Sequence, residues 1–210
     1  MQRILIYIGM LLAGASCTSS APRLTTGDLL FQTTPDSPMA AAIHAATDKK
    51  DVENFSHAAI FVRATPADSV LEATTEGGVR MVAFKDFVAR SAKINGKPYL
   101  VAMRLRDTAG VTASVQRAKT RIGAAYDYAF RADNGKFYCS ELIWAHYFRP
   151  DSLRIFAAQP MNFRATDGTM PRYWVELYER LGEAIPEGEP GTNPNDMARD
   201  KALREVWRWF

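Results

Sequence analysis

Two cysteines and three histidines in 210 residues leave little material for a metal centre. None of the five stands at the spacing that holds a structural zinc ion, so no metal site and no cofactor is expected. Long apolar runs are missing too: the N-terminal one, Ile4 to Leu12, is too short to span a bilayer. Basic runs are absent beyond Lys49-Lys50, and a net charge of +3 is too small and too scattered to suit a nucleic-acid partner. No internal repeat is present. What is there, 47% hydrophobic and 23% charged residues, suits one globular domain with appendages.

Residues 1–16 have the pattern of an export signal. Arg3 is its charged start, Ile4 to Leu12 its apolar stretch, and Ala13-Gly14-Ala15-Ser16 its small-residue end. Cys17 follows directly, as in a bacterial lipoprotein signal whose cysteine becomes the lipid-modified first residue. Simple cleavage near Ser16 is the competing reading. On the lipoprotein reading, residues 17–26 are a tether and the protein faces the periplasm in the cell envelope, anchored to a membrane through Cys17.

Lipid on Cys17 leaves Cys139 without a disulfide partner in an exported chain, which flags it as a nucleophile. It lies in Phe137-Tyr138-Cys139-Ser140-Glu141-Leu142-Ile143-Trp144, an aromatic approach followed by the first turns of a helix. A thiol there feels the positive end of the helix dipole, which favours thiolate. A buried structural cysteine is the alternative.

Around it, the chain reads as short strands and helices. Gly27-Asp28 turns into an apolar strand over 29–32, and Met39 to Ala46 is helical with Ser37 as N-cap. Ser56 to Val62 is a central strand, with His57, Ala59 and Phe61 on one face and Ala58, Ile60 and Val62 on the other. Ser69 to Ala73 is the next strand and carries Glu72, either solvent-facing or buried with a partner. Further strands follow over 79–84 and 99–105. Thr108 to Ile122 is an amphipathic helix with Val111, Val115, Ala118 and Ile122 on its apolar face. A helix is expected over 172–181, and a terminal helix over 196–210.

A cysteine nucleophile needs a base, and the base needs an orienting group. His146 is about 10 Å along the same helix from Cys139 and reads as a surface residue. His44 sits on an early helix as a surface or packing residue. His57 is the candidate base, with Glu72 on the adjacent strand to hold its tautomer; a satisfied core histidine is the alternative. Glu141 is the competing carboxylate, better explained as a first-turn acid.

Gly27-Asp28-Leu29-Leu30-Phe31, Ser56 to Val62, Val70-Leu71-Glu72-Ala73 and Tyr138-Cys139-Ser140-Glu141-Leu142 together resemble the circularly permuted papain-like hydrolases of the YiiX type, relatives of the NlpC-like peptidases. The histidine strand precedes the cysteine helix, the order of the permuted branch, and the resemblance covers roughly residues 27–148. It implies an α+β fold, with a small antiparallel sheet packed against the helix bearing Cys139. The catalytic domain would span 27–181, with 182–210 as a C-terminal extension. It implies Cys139 as nucleophile, His57 as general base then acid, Glu72 as its orienter, and Tyr126 lining the substrate cleft. The Cys139 N–H would help hold the oxyanion. The implied substrate is a cell-wall peptide, lipid or acyl amide, cleaved at an amide or ester bond. Acyl transfer, as in lecithin:retinol acyltransferase, and a non-catalytic lipid-tethered binding module are the alternatives. The sequence does not specify an oligomeric state.

Overall fold

The computed structural model describes residues 24–35, 37–50 and 52–210. The expected signal and the lipid-bearing Cys17 lie outside the described residues. Six strands form one antiparallel sheet: β1 (Leu29–Gln32), β2 (His57–Val62), β3 (Ser69–Thr74), β4 (Gly78–Ala83), β5 (Leu100–Leu105) and β6 (Leu203–Arg208). Their order across the sheet is β6-β5-β1-β2-β3-β4. Among the described residues six helices accompany them: α1 (Pro38–Thr47), α2 (Phe84–Ala89), α3 (Val111–Lys119), α4 (Cys139–Trp144), α5 (Arg172–Leu181) and α6 (Pro194–Ala198). Among the described residues no helix is long and apolar enough to cross a membrane.

Alternation along the strands divides the core in two. Leu29, Phe31, Ala58, Ile60, Leu71 and Ala73 face the side covered by Val115 of α3, Leu142 and Ile143 of α4, and Trp174 and Leu177 of α5. Leu30, Ala59, Phe61, Val70, Leu100 and Ala102 face the other side, covered by Phe87 of α2 and by Val206, Trp207 and Trp209. Each fully buried Leu or Ile contributes about 1.5–3 kcal/mol. The two faces of β2 are those the sequence predicts, and β2 is an interior strand.

The Gly27-Asp28 turn has a defined physical reason. Gly27 has φ of +93°, and a Cβ there would lie 2.1 Å from Val111 Cγ1. Asp28, buried, accepts two hydrogen bonds from Arg104 at 2.6 and 2.7 Å, which ties the start of β1 to β5. Ser37 caps α1, its Oγ accepting from Ala40 N at 3.1 Å.

Two elements differ from expectation. Residues 203–210, expected to be helical, instead form the edge strand β6 and an aromatic end. The Val-Trp-Arg-Trp-Phe tail has strand-like residues that lay Trp207 and Trp209 on the second core. Residues 182–210 therefore contribute to the main sheet rather than following it. Helix α3 begins only at Val111, after Gly110 in the left-handed region, and ends at Lys119, which leaves Ile122 half exposed instead of on the core face.

Candidate active site

Cys139 is the first residue of α4, and α4 packs on β2 and β3. The thiol is 5% exposed. His57 is the first residue of β2, so its ring sits at the end of the sheet, where the N-terminus of α4 can meet it. One ring nitrogen, Nε2, lies 2.9 Å from Glu72 Oε2. The ring lines the same cleft as Cys139, close enough for Cys139 to raise the His57 pKa.

The sheet register brings these groups together. The β2–β3 pairing runs as far as Ile60 and Leu71, and Glu72 is the next residue along β3. The small Ala59 side chain leaves room for the His57 ring to lean across to the carboxylate. Phe87 packs beside the ring, with centroids 6.0 Å apart.

Glu72 is fully buried and has two further partners. Arg80, its direct cross-strand neighbour on β4, donates from Nε at 3.2 Å, and Arg90, following α2, donates from an η nitrogen. Arg90 also stacks on Phe87 at 5.3 Å. Burial alone would raise the Glu72 pKa. The bond and charge of His57, then those of Arg90, outweigh it and hold the carboxyl at about 2. Burial would likewise lower the His57 pKa, but Cys139 and the hydrogen bond with Glu72 push it up to about 9. An imidazolium is therefore stable beside the sulfur across neutral pH.

Tyr126, expected to line the cleft, is buried against it, with its hydroxyl 3.7 Å from Met39 Sδ. The cleft holds about 570 Å³ and is also lined by Cys139, His57, Thr34, Arg90 and Tyr173. A smaller pocket of about 50 Å³ adjoins Cys139 and Tyr126 and is walled by Phe130, Phe163 and Trp174.

The matching family is described as permuted papain-like amidase enzyme, YaeF/YiiX, and the match runs over residues 23–207. The chain belongs to this family. It is similar to the YiiX protein of Escherichia coli, 28% identical over 191 residues that make up 88% of each chain. It is also similar to a crystal structure of the metalloprotein yiiX from Escherichia coli, at 27% identity, with a TM-score of 0.69, covering 88% of this chain and 97% of that one. The amidase is thus a thiol hydrolase with the permuted papain-like fold. Among its described residues no group of three or more His, Cys, Asp or Glu side chains is placed to hold a metal ion.

Three neighbours of the site depart from expectation or went unforeseen. His146, read as a surface residue, is buried: α4 ends before it, its Nδ1 lies 2.8 Å from Leu142 O, and Arg121 donates to its Nε2 at 3.1 Å. Glu141 does sit in the first helical turn and accepts from Tyr138 N at 3.3 Å. Burial, with repulsion from Asp127 and Asp133, raises its pKa to about 8, so it caps the helix by hydrogen bonding rather than by charge. Arg80 and Arg90 were not foreseen. For Arg80 the signal was available, because counting back through the Gly77-Gly78 turn sets it opposite Glu72. Arg90 reaches the site through the packing of α2, which no local pattern announces.

Proposed function

We propose that the amidase cleaves an amide bond through a Cys139 acyl-enzyme. The observation that carries this reading is the His57 ring, held by Glu72 at 2.9 Å, in the wall of the same cleft as the Cys139 thiol. In the first step the sulfur attacks the substrate carbonyl, and the proton held on His57 passes to the leaving amine as the C–N bond breaks. In the second, His57 takes a proton from water, the hydroxide adds to the thioester carbonyl, and the C–S bond breaks to free the acid and restore the thiol. Glu72 acts through His57 as a positioning residue, fixing the ring and stabilising its charged form. The Cys139 N–H belongs to the first helical turn, whose amides lack intrahelical partners, and can serve the developing oxyanion. Substrates of this reading are peptides or acyl amides of the cell envelope. Export and a lipid anchor at Cys17 would hold the enzyme beside them.

The test is alkylation of the full chain by iodoacetamide between pH 5 and pH 9. A thiol held against an imidazolium should label at a rate nearly constant from about pH 6 to 8. An isolated thiol gains about tenfold per unit up to its pKa near 8.5. His57→Ala should convert the first profile into the second, and Cys139→Ala should abolish turnover of N-acyl peptides followed by mass spectrometry. A steep profile for the unmodified chain, or unchanged turnover in Cys139→Ala, would overturn the assignment.

A further inference from the structure

Buried polar groups in folded proteins are almost always paired, so an unpaired one beside a reaction centre marks a place for a ligand. Gln32, the last residue of β1, lies directly opposite His57 on β2. It is fully buried, and neither Nε2 nor Oε1 has a hydrogen-bond partner among the described residues. Thr74 is the last residue of β3, the strand on the other side of β2. Thr74 Oγ1 is buried and unpaired as well. Gln32 and His57 are thus cross-strand partners, and Thr74 ends the strand on the far side of β2. All three line the cleft with Cys139.

The chemistry of the orphaned atoms narrows what they take. A carboxamide presents a donor and an acceptor side by side in one plane. An oxyanion, a carboxylate or an ester would satisfy Nε2 and leave Oε1 unpaired. A peptide residue in extended conformation satisfies both, because its own N–H and C=O point the same way. Spacing fits as well: neighbouring strands lie about 4.8 Å apart, and successive peptide units about 3.8 Å. An amide one residue away from a bond placed at His57 and Cys139 falls at Gln32.

We propose that Gln32, seconded by Thr74, is a specificity-determining residue that reads the backbone N–H and C=O of one extended substrate residue, adjacent to the bond cut at Cys139. The substrate class is then a peptide with at least two consecutive amides rather than a simple acyl amide or ester. Which bond is cut rests on the assignment of Cys139 and His57; the recognition of the neighbouring residue's backbone does not.

The test uses binding, so that it stands apart from turnover. Full chain carrying Cys139→Ala is titrated by NMR with N-acetyl-trialanine amide, and with analogues in which each internal amide in turn becomes an ester. One ester replacement should weaken binding about tenfold. Adding Gln32→Met should weaken the parent peptide by the same factor and abolish the difference between peptide and ester. Gln32→Met should also raise the melting temperature, because it removes unpaired buried polar atoms while roughly keeping volume; a purely structural Gln32 would lower it. The proposal fails if peptide and esters bind alike, if the ester effect persists in Gln32→Met, if that variant melts lower, or if no probe binds at millimolar concentration. Failure of the catalytic assignment would show instead in the alkylation profile, with this binding cycle intact.

Discussion

Glu72 carries more than a positioning carboxylate needs: one buried anion serves His57, Arg80 and Arg90 together. The linkage has two limbs. His57, raised from 6.5 to about 9, contributes stability that is full below about pH 6.5 and is lost as pH rises through 9. Glu72, lowered from 4.5 to about 2, contributes stability that is full above about pH 4.5 and is lost as pH falls through 2. Both are complete between about pH 4.5 and 6.5. Replacing Glu72 with Gln keeps the shape but removes the anion that helps hold the proton on His57. The alkaline loss of stability should move to lower pH, and turnover should fall by about tenfold to a thousandfold, within or below the usual reach of acid–base catalysis. The two arginines, each about a third exposed, remain solvated but lose their counter-charge, so the melting temperature should fall too. Rate and melting curve on one preparation separate the effects. A lower melting temperature with an unchanged rate per folded molecule would mean that another group orients His57. At this scale the pairing of His57 with Glu72 and the cleft that His57 shares with Cys139 were legible, because reactive residue types sat at the start of a strand, within its neighbour and at the start of a helix. Gln32 stayed hidden because a lone polar residue closing an apolar strand looks like a strand end. Only its missing partners give it away.

Between elements, β4 does more than finish a hairpin. Gly78 starts it with φ of +61°, and a Cβ there would stand 2.1 Å from Ala124 O. Val79 N donates to that same oxygen at 2.8 Å, while Gly123 N donates to Val79 O at 2.8 Å. The segment so held continues to Tyr126, which bridges Phe137, two residues before Cys139. Gly78→Ala adds left-handed strain to a backbone clash, a cost of about 2–4 kcal/mol. Gly96→Ala is the control: φ of +77° but open space around the position, for a cost of about 1 kcal/mol. Thermal melts should therefore place Gly78→Ala well below Gly96→Ala, with slower turnover per folded molecule in the former alone. Equal melting of the two would show that β4 does not support the Cys139 approach. Most elements were legible, since alternation marked the strands and capping marked α1. The start of α3 was not, because Gly110 interrupts a periodicity that runs on past it. Helix α4 also stops short, at Trp144, although nothing before Pro150 breaks the pattern.

The whole molecule closes through its C-terminus, the part where sequence pattern misled most. Charged residues around two tryptophans suggested a terminal helix, yet Leu203–Arg208 pairs along β5 with a bulge between Glu205 and Trp207. Exposed Arg204 and Glu205 suit an edge strand, where charge discourages further pairing. Trp209 packs on Phe84 at 6.2 Å, and Phe210 meets Tyr99 edge-on at 4.5 Å. Tyr99 in turn accepts from Asn54 N at 3.2 Å, and Arg208 pairs with Glu53. The residues that lead into His57 are thus braced by the last strand of the chain. Ending the chain after Asp200 would uncover one edge of β5 and strip the aromatic cover from the second core. Losing two packed tryptophans alone costs several kcal/mol, at about 3–5 each when fully buried and less here, where both are half-buried. Against a total stability of about 5–15 kcal/mol, the truncated chain should lose cooperative melting and near-ultraviolet dichroism. Cys139 should then alkylate with the steep pH profile of a free thiol. A truncated chain that melts cooperatively within about 4 °C of the full one, a difference of about 1–2 kcal/mol at this size, would show instead that residues 201–210 are an appendage and that the fold closes without them.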